Sequence, residues 1–455
     1  MPPSLALGIC WAAIIWMFYK DHQKRPNCSK ALWIPVLWLL LLGSHPLSFW
    51  LGVRSGGTDL DGNPFDRMFY IMMIVVSFAI VSRRGMALSS LIRANRAISL
   101  FYIFLALTIL WADFPFVTFR RWFKEIGGIF VILIILTEQD PLEAIEAVFL
   151  RCAYVLLPLS VVFIKYVPAL GRVFDHTGIP QYVGVADQKN ALGEIALVFS
   201  AAIIWSMVRH YEKRQYKTLR EFAWPLLVLL MGCWLLRISD SKTSIICLGV
   251  AALILLSHKL PFLKTRPRFS LFIFLGALPF ILLLKEVPAV SDPILRMLGR
   301  NTTLTNRTEI WGVIKEHPVN PLIGSGYLMY WDLNKSVQVG EFDVSLKTIH
   351  NGYLEIYLDG GFLGLAVLFF MLFCLGTRAG KTYLGGSEYG RLFLAIFVVT
   401  LFFNLSESVF ARRGPLWFSF LLLCIGGSPL FSDRLTRSQS EKDYVPDESV
   451  EYSVT

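Results

Sequence analysis

Charge is what this sequence has least of. Of its 455 residues only 17% are charged while 55% are hydrophobic, whereas a soluble domain is about 25% charged and about 45–50% apolar. An ordinary globular enzyme is thereby excluded. Organised cysteine is also lacking. The seven cysteines, Cys10, Cys28, Cys152, Cys233, Cys247, Cys374 and Cys424, sit mostly inside apolar runs with no CxxC spacing, so neither a disulfide framework nor a zinc site is indicated. The stretch from Met1 to Tyr19 lacks a basic segment before its apolar run and a small-residue cleavage site after it, and it reads as a retained first span. Alternating strands are missing too, because the apolar runs are continuous, which excludes a membrane barrel.

What is present is run after run of apolar residues near the roughly 20 that cross a bilayer as a helix. The spans expected are 4–19, 31–51, 67–82, 97–112, 125–138, 144–166, 191–208, 222–238, 243–258, 269–286, 357–377, 389–406 and 414–428. This predicts an all-α integral membrane protein of about 12–13 transmembrane helices. Aromatics make up 14% of the chain, many of them Trp and Phe near the ends of the runs, where rings anchor in the headgroup layer.

The net charge of +10 does not point to nucleic acid, because Lys and Arg fall in short segments between spans, where they set orientation. Lys20, Lys24, Arg25 and Lys30 share a side with Arg83, Arg84, Arg93 and Arg96. The same side collects Arg209, Lys213, Arg214, Lys217 and Arg220, then Lys259, Lys264, Arg266 and Arg268, then Arg378, Lys381 and Arg391. That side is the cytoplasm. The opposite connections are poorer in Lys and Arg, the clear exception being Arg120, Arg121 and Lys124. By parity the segment 287–353 faces outward as one large loop between two parts of the bundle, 1–286 and 354–428. The tail 429–455, rich in Ser, Asp and Glu, is expected to be cytoplasmic and disordered.

The outward loop is far longer than a helix connection needs, and loops of that length carry function or are disordered. Its content favours function. A Thr or Asn cap precedes a predicted short helix through Arg307, Trp311 and Ile314, which ends at His317-Pro318. A turn-rich segment follows at Pro321-Leu-Ile-Gly324-Ser-Gly326-Tyr327, and His350-Asn351-Gly352-Tyr353-Leu354 leads into the next span.

In these segments the sequence resembles the bacterial O-antigen ligase and polysaccharide polymerase superfamily, including the exopolysaccharide-production polymerase type. The resemblance is carried by Leu304-Thr-Asn-Arg307-Thr-Glu-Ile-Trp311, the Pro321–Tyr327 turn, His350–Leu354 and Gly360-Gly361-Phe-Leu-Gly364. Upstream, Asp187-Gln-Lys189-Asn190-Ala-Leu-Gly193 and Ser239-Asp-Ser241-Lys242-Thr243-Ser244 agree with it. It implies a helical bundle of the GT-C glycosyltransferase kind in the bacterial inner membrane, with the large loop periplasmic. It implies an undecaprenyl-diphosphate-linked glycan as donor and a glycan or a lipid A core as acceptor. No metal or other cofactor is required, and polysaccharide export or assembly proteins are the implied partners besides the bilayer.

Such a transfer expels an anionic diphosphate, so the site needs cations for its oxygens, and it needs a base to take the acceptor's hydroxyl proton. His350, at the family's loop-end histidine, is the leading base candidate, set against a histidine that merely caps a helix. Arg307 sits at the motif position for diphosphate or sugar, with a surface ion pair as the plain alternative. Lys189 and Lys242 are cations at the outward boundary, expensive there unless paired or functional. Arg120 and Arg121 either hold diphosphate or snorkel to headgroups, and Trp311 is a sugar-binding candidate. Glu194, Glu355 and Glu407 in or beside apolar spans read first as paired carboxylates. His317 reads as structural, and His176 stays open as a second contributor. The expected activity is polymerisation of lipid-linked repeat units, with ligation to lipid A core as the alternative. A transporter or flippase of lipid-linked sugars is the reading from another class.

Overall fold

A computed structural model describes residues 1–53, 62–174, 178–215, 219–269, 271–276, 318–332, 336–339, 342–345 and 349–433. Helices dominate: α1 Pro3–Lys24, α2 Trp33–Leu42, α3 Leu47–Trp50, α4 Pro64–Arg83, α5 Leu88–Ala94, α6 Arg96–Leu107, α7 Pro115–Leu136 and α8 Pro141–Tyr166. After α9 Pro168–Gly171 come α10 Lys189–Glu212, α11 Leu219–Ile238, α12 Lys242–Leu256 and α13 Pro261–Thr265. The chain then returns through α14 Gly352–Leu384, α15 Glu388–Phe403 and α16 Pro415–Gly426. Two short antiparallel hairpins are the strands among the described residues. Arg172–Phe174 (β1) pairs with Pro180–Tyr182 (β2), Arg172 opposite Tyr182, and Ser336–Val339 (β3) pairs with Phe342–Ser345 (β4), Ser336 opposite Ser345.

The protein is an all-α integral membrane protein. Seven of the described helices are long and apolar enough to cross a bilayer, or up to eight if the pair Leu88–Ala94 and Arg96–Leu110, bent by 104°, is one span. Helix lies within each of the spans expected from the sequence, that at 269–286 being described only to residue 276. Several are shorter than expected. The span 31–51 is broken by Gly43 to Pro46 into α2 and α3, Gly43 following the end of α2 and Pro46 directly preceding α3. Phe431 is fully buried, so packing continues past residue 429, where the tail was expected to begin.

The central helix is α8, buried on nearly every face and packed by α1, α2, α7, α10 and α11. A second layer joins α15 to α10, α12, α14 and α16. One end of the bundle is tied by buried ion pairs. Arg151 Nε lies 2.7 Å from Asp21, and Arg25 bridges Asp21 and Glu146. Arg209 bonds Glu146 and, at 2.8 Å, Glu388, while Arg391 meets Glu212 at 2.8 Å. These pairs link α1, α8, α10 and α15, and every charge is compensated, which buried charges require. The opposite end collects the sequence motifs.

Candidate functional site

At the motif end, α14 begins with the sequence His350-Asn351-Gly352. Asn351 caps the helix by accepting from the amides of Tyr353 and Leu354, each at 3.1 Å, satisfying donors that have no partner inside the helix. Gly352 fits because its amide donates to Asn404 O at 2.9 Å and a side chain there would overlap Asn404. His350 is left with φ of 56°, a left-handed conformation uncommon for a residue with a side chain. Leu328, Ala411 and Asp240 share that trait at the same end of the bundle, and such strain concentrates where the surroundings hold a functional geometry.

His350 Nδ1 lies 3.0 Å from Glu407 Oε2, and Asn190 Nδ2 donates to the other carboxylate oxygen at 2.9 Å. An ionised carboxylate only accepts, so Nδ1 is the donor in this pair. Glu407 stands on the segment between α15 and α16. That segment is shaped by Asn404, whose side chain accepts from the Val409 and Phe410 amides at 2.9 and 3.0 Å and donates to Thr400 O at 2.7 Å. Ser406 of the same segment bonds Thr243. The 404–414 turn is therefore where the starts of α10, α12 and α14 meet. Lys189 and Lys242 are the first residues of α10 and α12. Lys242 pairs with Asp240 at 3.1 Å.

A second arrangement fixes the loop beside the histidine. Glu355, 2% exposed, accepts from Ile349 N at 2.7 Å, Trp331 Nε1 at 3.1 Å and Arg412 at 2.8 Å. The carboxylate thus has the cation and donors its burial demands. Burial and the neighbouring Glu355 push the Tyr330 phenol up to about 12, which keeps it neutral. Glu194 serves another helix end: it accepts from Leu416 N at 2.8 Å, satisfying an amide in the first turn of α16.

The Pro321–Tyr327 turn and Gly360–Gly364, separate in sequence, are interlocked. Gly361 takes φ 61° and ψ −159° inside α14, which breaks the helical ladder. The freed amides of Phe362 and Leu363 donate to Pro321 O and Leu322 O at 2.8 and 3.1 Å. Leu358 O and Asp359 O accept from Ser325 N and Gly326 N, each at 2.9 Å. These four groups are satisfied by protein, as irregular backbone at membrane depth requires. The end of α6 seals this turn: Trp111 Nε1 donates to Ile323 O and Tyr327 N donates to Thr108 Oγ1, each at 3.0 Å. Arg121 donates to Leu328 O, whereas Arg120, half-buried, lies 5.0 Å from the centroid of Phe116.

His350, Lys189 and Lys242 are therefore gathered around one turn, with Arg121 on the flank of the same end. Arg307 and Trp311 lie outside the described residues, as do His176 and His317. Residue-by-residue reading missed Arg412, Asn404 and the Glu407–His350 pairing. The signal was there for Arg412, a basic residue in a connection that parity assigns to the cation-poor side.

The described site belongs to a multi-pass helical membrane protein. Residues 226–369 match the family model of the O-antigen ligase. The chain is also similar to the exopolysaccharide production protein ExoQ of Rhizobium meliloti (strain 1021), 26% identical over 297 residues. That alignment covers 60% of this chain and 62% of the relative, so under two thirds of the relative's length is spanned. Both matches support the resemblance to the O-antigen ligase and polysaccharide polymerase superfamily that the motifs carry.

Proposed function

We propose that the protein is a membrane glycosyltransferase that polymerises polyprenyl-diphosphate-linked oligosaccharide repeat units into surface polysaccharide, at the outer side of a bacterial inner membrane. The observation that carries this is the chain Asn190–Glu407–His350, 2.9 and 3.0 Å, set among motifs of the superfamily. In the proposed reaction His350 Nε2 takes the proton of the acceptor hydroxyl while its oxygen forms a bond to the donor's anomeric carbon. The bond from that carbon to the diphosphate breaks, and the diphosphate leaves as an anion. Glu407 holds the imidazole in orientation and offsets the charge it gains. Lys189, Lys242 and Arg307 are assigned to the departing diphosphate, with Arg120 and Arg121 beside it and Trp311 against the sugar. Arg121 also has a positioning role, through Leu328.

The bundle halves 1–286 and 354–428 form the scaffold in this reading, 287–353 is the periplasmic loop, and the tail from 429 is cytoplasmic. Polymerisation is preferred over ligation to lipid A core because the similar curated protein serves exopolysaccharide production. The test is transfer by purified protein supplied with lipid-diphosphate glycan, alongside the polysaccharide profile of cells lacking it. Short repeat units without polymer are expected, and a His350→Ala variant should behave as the deletion does. Polymer left on its carrier lipid would replace polymerase by ligase. No bond formation with any acceptor would overturn both.

A further inference from the structure

Given the transferase reading above, on which this rests, we infer that Glu355 is the positioning residue of the His350–Glu407 pair, a buried carboxylate that anchors the backbone beside both partners. His350 and Glu407 are 57 residues apart and stand on two connections, one leading into α14 and one between α15 and α16. A 3.0 Å bond between two connections keeps its length only if both backbones are held. An error of about 1 Å in the place of a reacting group costs up to about 100-fold in rate.

Glu355 is placed to hold both. It lies in the first turn of α14, its amide donating to Asn351 O at 3.0 Å, and a helical side chain leans back toward the helix start. The buried carboxylate thereby reaches the residue before His350: Oε1 accepts from Ile349 N at 2.7 Å. Ser408, the residue after Glu407, donates to the same oxygen through its hydroxyl at 3.4 Å. Oε2 accepts from Arg412 Nη2 at 2.8 Å, farther along the turn that carries Glu407, and from Trp331 Nε1 at 3.1 Å. Arg412 balances the charge, while the Ile349 and Ser408 donors tie that charge to the residues flanking the pair. Two of the anchored residues also adjoin strained backbone. Ile349 precedes His350, φ 56°, and Arg412 follows Ala411, φ 52°. Left-handed backbone at a residue with a side chain persists only where the surroundings over-determine it. At His350 the Asn351 cap supplies part of that constraint from one side, and Glu355 supplies it from the other.

Steady-state transfer by purified full-length protein supplied with labelled lipid-diphosphate glycan tests this role. Glu355→Gln should lower kcat by about tenfold or more with KM little changed, and by no more than His350→Ala does. Glu355→Gln/Arg412→Met, which strands no charge and should melt above Arg412→Met alone, should show the same loss of kcat. Adding Glu407→Gln to Glu355→Gln should slow transfer no further than the slower single variant, because both act through one imidazole, whereas independent structural defects multiply. Glu146→Gln, weakened at the opposite end of the bundle, should keep its rate per folded molecule. A wild-type kcat in Glu355→Gln, losses that multiply, or an equal loss in Glu146→Gln would overturn the positioning role alone, provided that His350→Ala is inactive. Full transfer by His350→Ala would overturn the transferase reading and the positioning role with it.

Discussion

Replacing Glu407 by Gln keeps the size of the side chain and an oxygen facing His350, but removes the charge. The bond it alters is 3.0 Å long, between an imidazole 31% exposed and a carboxylate 16% exposed. A hydrogen bond to a charged group contributes about 1.5–3 kcal/mol, and the partial exposure here puts it in the lower half, about 1.5–2 kcal/mol. At about 1.4 kcal/mol for each factor of ten, the transfer rate should fall about 10- to 30-fold. The loss should appear in kcat with KM little changed, because the charge matters when the imidazole has taken the proton. A steady-state assay with labelled lipid-diphosphate glycan measures it. Loss of the base itself, in His350→Ala, should cost about 100-fold or more. The double variant should then be no slower than His350→Ala alone, since the two residues act as a unit. Full activity of Glu407→Gln, or a double variant whose losses multiply, would refute the coupling.

Arg412→Met should be among the most damaging changes to stability: it strands Glu355, 2% exposed, without its cation, at about 3–5 kcal/mol. A lower melting midpoint in detergent checks this, and adding Glu355→Gln should restore part of it. Gly361→Ala should sharply reduce folded yield by size-exclusion chromatography. It forces a side chain onto the backbone of Leu322 at a φ of 61°, whereas Gly249→Ala, in open space, should be harmless or slightly stabilising. Glu146→Gln removes the carboxylate shared by Arg25 and Arg209 and should lower stability by about 3 kcal/mol. The transfer rate per folded molecule should be unchanged.

The helices were legible because burial in lipid demands long apolar runs, and that demand is written residue by residue. The breaks were less so. Gly361 and the turn at 321–326 carry glycines, yet only the folded chain reveals that one supplies hydrogen-bond partners for the other. Similarly, His350 was marked by its motif, but its partner Glu407 lies on another loop, and a pairing between distant loops leaves no local periodicity. Glu355 was read as a paired carboxylate, and it is one, with Arg412. The partner escaped notice because 404–414 looked like the seam between two spans. Asn404 carries no motif of its own, yet its side chain shapes the turn on which Glu407 stands.

The buried ion pairs at the opposite end carry a mechanical consequence. A carrier working by alternating access must part its helices at both faces in turn. Here the ends of α1, α8, α10 and α15 are clasped by Asp21, Arg25, Glu146, Arg151, Arg209 and Glu388. Parting them would require breaking these pairs. These pairs therefore hold four helices together as one base beneath the end that carries His350.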